Sequence, residues 1–271
     1  MKSSRALSID ITLIDLLESF NLSGRAMKGL KYLLSDDEIL HSQEFANTVS
    51  ITRLGYNDHG PVHMRTVTYN ALLMIDLLKK AGIKTTLETD GCGDYEDSVL
   101  AVMIGSMFHD IGMGMGRQNH EHHSTVLACP IIDRMLKDLY EDSVYKRMMV
   151  RALSLETIAG HMGTISTSSL EAGIVQTADG CDMTKGRARI PISLGLTPRV
   201  GHIHQYSANS IEKVSIATGG EKPIRIDVEM SRQVGLFQIE EVLMHKIASS
   251  TIKQYIELYA NVKDEESRRY L

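Results

Sequence analysis

The sequence has no tryptophan and three cysteines, Cys92, Cys129 and Cys181. An odd number with no Cys-x-x-Cys spacing argues against a disulfide framework and against a thiolate zinc site. It fits reduced cysteines in a cytoplasmic protein. The missing tryptophan decides nothing. Long apolar runs are also lacking. The longest lies around residues 99–108, well short of the ~20 residues that a membrane-spanning helix needs. The opening stretch MKSSRALSID has no apolar centre of the kind a signal peptide carries. Basic excess is absent as well, since 29 Lys and Arg face 34 Asp and Glu for a net charge of -5. Nucleic acid is therefore not an obvious bulk partner, although a few local cations can serve a small phosphorylated ligand. Gly112, Gly114 and Gly116 are not followed by Gly-Lys-Ser/Thr, so they form no P-loop and read as loop flexibility. There is no internal repeat and no low-complexity segment.

What is present is a chain of 271 residues, 43% of them hydrophobic. That is ample for a full core in one large domain, or in one domain with a small companion. The first two-thirds reads as helices. Residues 11–20 are apolar enough for a short one, and Ser35-Asp36-Asp37-Glu38 reads as a capping box opening a helix that stops near Gly55. Pro61 fits the first turn of the next helix and Gly82 its end, with an apolar stripe of Val67, Ala71, Met74 and Leu78 between them. A polar loop near 90–97 precedes a helix over 98–110. Further helices cover 121–139, 142–160 and 169–184, with a kink or split expected at Pro130. The pattern changes near Pro198. Ile224, Ile226, Val228 and Met230 alternate with charged residues as a half-buried strand, and 211–217 is its partner across Gly219-Gly220. Leu236, Ile239, Val242, Leu243 and Ile247 form a helical stripe, and 255–262 closes with a strand. The fold class is mainly α: a helical domain over 1–198 with a small α+β (ββαβ) subdomain over 199–271.

The helical part carries an ordered set of histidines and acids: His59, His63, His109-Asp110, His120, His161 and Asp179. Imidazole nitrogens and carboxylate oxygens suit first-row divalent metals. His63 shares a face with Val67, Ala71, Met74 and Leu78, and Asp179 with Ala172 and Val175. A carboxylate aimed at a core is costly unless paired or metal-bound. His109-Asp110 ends an unusually apolar helix. Each residue alone is a weak signal, because a single histidine on an apolar face is more often a core residue with one hydrogen-bond partner. The ordered set carries the argument.

That set is His63 in HMRTV, His109-Asp110 in MFHDIG, His120 in RQNHEHHS, His161 in IAGHMG and Asp179 in TADGCDMTKGR. It resembles the HD-domain superfamily of metal-dependent phosphohydrolases, and looks most like archaeal-type members with the dinuclear H…HD…H…H…D order. The resemblance covers roughly residues 55–190. It implies an all-helical bundle with ligands projecting inward. His63, His109, Asp110 and Asp179 would form one metal site, and His120 and His161 would complete a second, with Asp110 bridging. One or two divalent ions (Mn, Fe, Zn, Ni, Co or Mg) are the implied cofactor. His120, His122 and His123 compete for one role. The similarity favours His120, because family members carry this histidine four residues before a small residue, here Ser124.

A shorter stretch, HGPVHMRTV from His59 to Val67, is similar to the H-N-x-x-H-A motif of cyclic-nucleotide phosphodiesterases. There the first histidine is the general acid, which would make His59 the proton donor to the leaving alcohol. Gly60 stands where that motif has Asn and Met64 where it has Ala, so a loop histidine near a helix start is the competing reading. Arg117, Lys185, Arg187 and Arg189 flank the set and are candidate phosphate contacts, or else a solvated basic loop. The expected function is hydrolysis of a nucleotide-like phosphoester, as a phosphodiesterase or phosphatase. Alternatives are an HD-type di-iron oxygenase and a nucleotide-responsive regulator. A homodimer is expected if the tail offers an unpaired strand edge.

Overall fold

The computed structural model describes residues 3–184 and 203–271. The boundary expected near Pro198, and the candidate phosphate contacts Lys185, Arg187 and Arg189, lie outside the described residues.

The chain is mainly helical with a small C-terminal sheet. Helix α1 spans Ser4–Glu18, longer than the apolar stretch alone suggests, because the Ser3 hydroxyl caps it by accepting from Ala6 N. Helix α2, Arg25–Ser35, has no local start signal, and the sequence reading passes over it. Its cap is remote: the Glu96 carboxylate accepts from the backbone N–H of Gly24 at 3.0 Å and of Ala26 at 2.9 Å. Asp36 caps α3, Asp37–Thr48, which runs on into a π turn at Val49–Arg53. Helix α4, Pro61–Lys80, begins on its proline, as expected.

The loop expected over 90–97 is shorter than the composition suggests. A short helix α5, Thr86–Asp90, occupies its start. A reciprocal capping box between Asp94 and Asp97 opens α6, Tyr95–Phe108. Helix α7, His120–Leu139, runs through Pro130 and is not split there. Proline leaves the carbonyl four residues back without its helical partner, and that residue, Val126, is 70% exposed, so water can serve it. Helices α8, Val144–Gly160, and α9, Leu170–Cys181, complete the bundle.

Helix α6 is the axis of this bundle. Every residue from Glu96 to Phe108 is buried, the pattern of a helix that is apolar all round. It packs against α2, α4, α8 and α9. Beside it, Arg65 is 1% exposed. Its guanidinium donates to Asp10 at 2.5 Å, to Gln43 Oε1 at 3.0 Å and to the Pro61 carbonyl at 3.1 Å. Gln43 in turn donates to the Met107 carbonyl at 2.9 Å. This network ties the first turn of α4, which carries His63, to the end of α6, which leads into His109.

After the undescribed stretch come α10, Ile203–Ser210, and a sheet in the order β1-β2-β3-β4. Strands β1, Ile211–Thr218, and β2, Ile224–Met230, are antiparallel. Strand β3, Ile256–Val262, lies parallel to β2, and a two-residue β4, Arg268–Arg269, is added to its far edge. The β2–β3 crossover is α11, which starts at Leu236–Gln238, passes a π turn at Ile239–Leu243 and ends as Met244–Ser249. The tail is thus the expected strand, strand, helix, strand with one short strand more. Helix α11 docks on α9, where Gln176 Nε2 donates to the Lys246 carbonyl at 2.8 Å and to Ser249 Oγ at 2.7 Å. The buried apolar cluster runs without a break from Leu13 and Ile104 to Ile226 and Ile256. No helix among the described residues is long and apolar enough to cross a membrane.

Candidate metal centre

Five helices deliver the candidate ligands to one place. His63 sits in the first turn of α4, and His109 caps the C-terminus of α6, with Asp110 following it. His120 opens α7, His161 caps the end of α8, and Asp179 lies in the last turn of α9. The C-terminal ends of α6, α8 and α9 bring partial negative charge to the spot, while the first turns of α4 and α7 bring partial positive charge. His120 reaches the cluster because a short 3-10 turn, Ile111–Gly114, packs hard against the start of α7. A Cβ on Gly112 would lie 2.1 Å from the His120 carbonyl oxygen. Gly112 is therefore a fixed close approach, which corrects the reading of loop flexibility there. The Ser124 hydroxyl locks the same junction, donating to the His109 carbonyl at 2.6 Å and accepting from Gly112 N at 2.8 Å.

All four imidazoles are buried and share one orientation. The Nδ1–H of His109 donates to the Ser106 carbonyl at 2.8 Å, that of His120 to the Arg117 carbonyl at 2.9 Å and that of His161 to the Ile158 carbonyl at 2.7 Å. His63 Nδ1 lies 2.7 Å from Asp182 Oδ2. Carbonyls and carboxylates only accept, so the proton belongs on Nδ1 and each neutral ring turns the lone pair of Nε2 inward. These lone pairs face one another: His63 and His109 Nε2 are 3.1 Å apart, and His120 and His161 Nε2 are 3.2 Å apart. Such contacts repel unless a cation lies between them.

The carboxylates complete the pattern. Asp110 Oδ2 lies 3.3 Å from both His63 and His109 Nε2. Its other oxygen, Oδ1, lies 3.1 Å from His120 Nε2 and 3.5 Å from His161 Nε2. Asp179 Oδ1 faces the first pair, 3.2 Å from His63 Nε2. Three overlapping groups have ligand atoms within 4.8 Å of one another: His63 with His109 and Asp110, His109 with His161 and Asp179, and Asp110 with His120 and His161. The set can hold a metal ion. Burial pushes the His161 imidazole down to about 4, so it is neutral and fit to ligate at pH 7. Burial pushes the Asp110 carboxyl up, but the charge that His109 and His59 carry when protonated outweighs it and lowers Asp110 well below the usual carboxylate range. For Asp179 burial is likewise outweighed, chiefly by the Lys246 ammonium.

Asp110 and Asp179 of the cluster help to line a cavity of about 510 Å³, together with His59, Arg117, His245 and Lys246. That volume suits a small ligand. His59 is held at Nδ1 by the Asn57 carbonyl at 2.6 Å and by Ser50 Oγ at 2.9 Å. Its ring centre is 5.9 Å from that of His63. Asn47 Oδ1 accepts from His59 N at 3.1 Å. A Cβ on Gly60 would come within 2.6 Å of Asn47 Cβ. No side chain fits at position 60 beside Asn47, which accounts for the glycine where the similar motif has asparagine. Arg117 Nη1 lies 3.2 Å from His120 Nε2, and its guanidinium lies 5.9 Å from the Tyr56 ring centre. His122 is exposed and His123 is half-buried, and neither belongs to the cluster.

Two residues of the site escape the sequence reading. Asp182 orients His63, and its signal is its place three residues after Asp179, one helical turn on. Lys246 of α11 donates to Asp179 Oδ2 and, at 2.9 Å, to the His161 carbonyl. It comes from the tail and has no local signal at all.

No family model matches the chain, and no solved structure matches it. Over 246 residues, 89% of this chain and 93% of the relative, it is 39% identical to the uncharacterized protein MJ1020 of Methanocaldococcus jannaschii. An identity of that level along nearly the whole of both chains shows common descent, and the chain belongs to the same family as MJ1020.

Proposed function

We propose that this chain is a metal-dependent phosphohydrolase of the HD-domain type, acting as a phosphodiesterase or phosphatase on a small, nucleotide-like phosphoester. The observation that carries the reading is Asp110, whose two oxygens turn to two different pairs of inward-facing histidine nitrogens. A carboxylate shared in this way suits two adjacent divalent ions. His63, His109, Asp110 and Asp179 would hold one, and Asp110, His120 and His161 the other. The chemistry that bound ions supply is Lewis acidity, which ionises water near neutral pH and offsets charge on phosphoryl oxygens.

The chain's own residues do the rest. With ions bound, neutral imidazoles would leave the net charge of the centre positive, so a phosphoryl group would be attracted to it. Arg117 sits at the His120 end with planar donors suited to phosphoryl oxygens. His59, anchored through Nδ1 on the cavity wall, in its protonated form gives a proton to the leaving oxygen.

The test is hydrolysis of bis(p-nitrophenyl) phosphate and p-nitrophenyl phosphate by the manganese- or iron-loaded protein, with Asp110→Ala beside it. The wild type is expected to turn over one of the esters, and Asp110→Ala to lose both metal and activity while its circular dichroism is unchanged. Equal activity in the variant would remove the proposed mechanism.

A further inference from the structure

Lys246 is the one cation of the C-terminal unit at the cluster among the described residues. Its side chain is 9% exposed. Burying an ammonium is costly even with a partner. A mere tie between α11 and α9 does not need it, because Gln176 already bonds the Lys246 carbonyl and Ser249. An ammonium has three donors. One goes to Asp179 Oδ2 and one to the His161 carbonyl, and these are its only acceptors among the described residues. Lys246 also lines the cavity, which leaves its third N–H to whatever the cavity holds.

Two cations therefore border the cluster. Arg117 lies against His120, and Lys246 lies against Asp179, which faces His63 and His109. They come from distant parts of the chain, and both border the same cavity.

We propose that Lys246 is a substrate-binding residue, donating to an anionic oxygen of the phosphoryl group that Arg117, in the same cavity lining, also holds. The proposal rests on the phosphohydrolase reading above and adds a residue of the tail to it. The C-terminal unit is then part of the substrate site. Lysine serves here better than arginine, since a compact ammonium can keep two fixed acceptors and still present one donor.

The test is calorimetric titration of the zinc-loaded full chain with orthophosphate, in wild type, Lys246→Met and Lys246→Arg, with metal content measured on each. The wild type is expected to bind phosphate. Lys246→Met is expected to keep its metal and bind phosphate about 10- to 100-fold more weakly, the range of one charge-assisted hydrogen bond. Lys246→Arg is expected to restore part of the loss. Unchanged phosphate affinity in Lys246→Met at full metal content overturns the proposal and leaves the hydrolase reading standing. Loss of metal in that variant also overturns it, because Lys246 then acts through Asp179. A wild type that binds metal but no phosphate overturns both readings together. A second measurement needs no folded variant: in isotope-labelled wild type the Lys246 ammonium resonance shifts as phosphate binds, and an unmoved resonance at saturation overturns the proposal.

Discussion

The orientation of single side chains decides what this centre can do. Four imidazoles have their Nδ1 atoms committed to acceptors, so protonation at Nε2 would require a cationic ring in a fully buried place. His161 shows the consequence, with burial driving its imidazole down to about 4. The inward lone pairs and the divided Asp110 carboxylate form a cradle whose electrostatics are resolved by cations. His59 differs from these four. Its ring lies at the cavity edge, half-buried, and it belongs to none of the candidate ligand groups. His59→Gln should therefore keep the full metal content and slow turnover by about 100-fold or more, the range of general acid catalysis. Metal analysis and steady-state kinetics on the same preparation check this. A variant that loses metal would make His59 a ligand instead.

At the scale of elements, the centre is built from helix ends, and the polar networks behind those ends fix their positions. The start of α6 is one such anchor. Asp97 receives Arg25 and Tyr140 on one oxygen, at 2.8 and 2.6 Å, and Lys146 at 2.8 Å on the other. Burial pushes its carboxyl up, but Lys146, Tyr140 and the Asp94 amide outweigh burial and hold it below the ordinary 3.8. A depressed carboxyl stabilises the fold above its unfolded pKa, and that contribution is lost as pH falls through the lower folded value. Asp97→Asn should cost about 2–3 kcal/mol at pH 7. In chemical denaturation the gap to wild type should narrow as pH falls below about 4. A gap independent of pH would contradict the assignment.

The same networks mark the limit of what the sequence discloses. The stripe from Val67 to Leu78 orients His63, and Ala172 and Val175 orient Asp179, because these are local helical periodicities. Helix α2 stayed hidden because its cap is Glu96, some 70 residues on. Gly112 reads as loop flexibility because the backbone it touches, at His120 and Ser124, is close only once the chain is folded. Asn47, which forces glycine at position 60, is hidden for the same reason.

On the scale of the whole molecule, the small α+β unit is continuous with the helical bundle. Its crossover helix α11 lies on the helix that bears Asp179, and its lysine enters the cluster. The apolar core passes from one part to the other without a gap. Bundle, tail and cavity thus converge on Asp110, whose neighbours must hold metal for the proposed chemistry to work. The most direct test is the metal content of the untagged full chain, purified without chelator and loaded with manganese or iron, read by elemental mass spectrometry. About two ions per chain are expected. A chain that takes up none after loading contradicts the proposed metal centre.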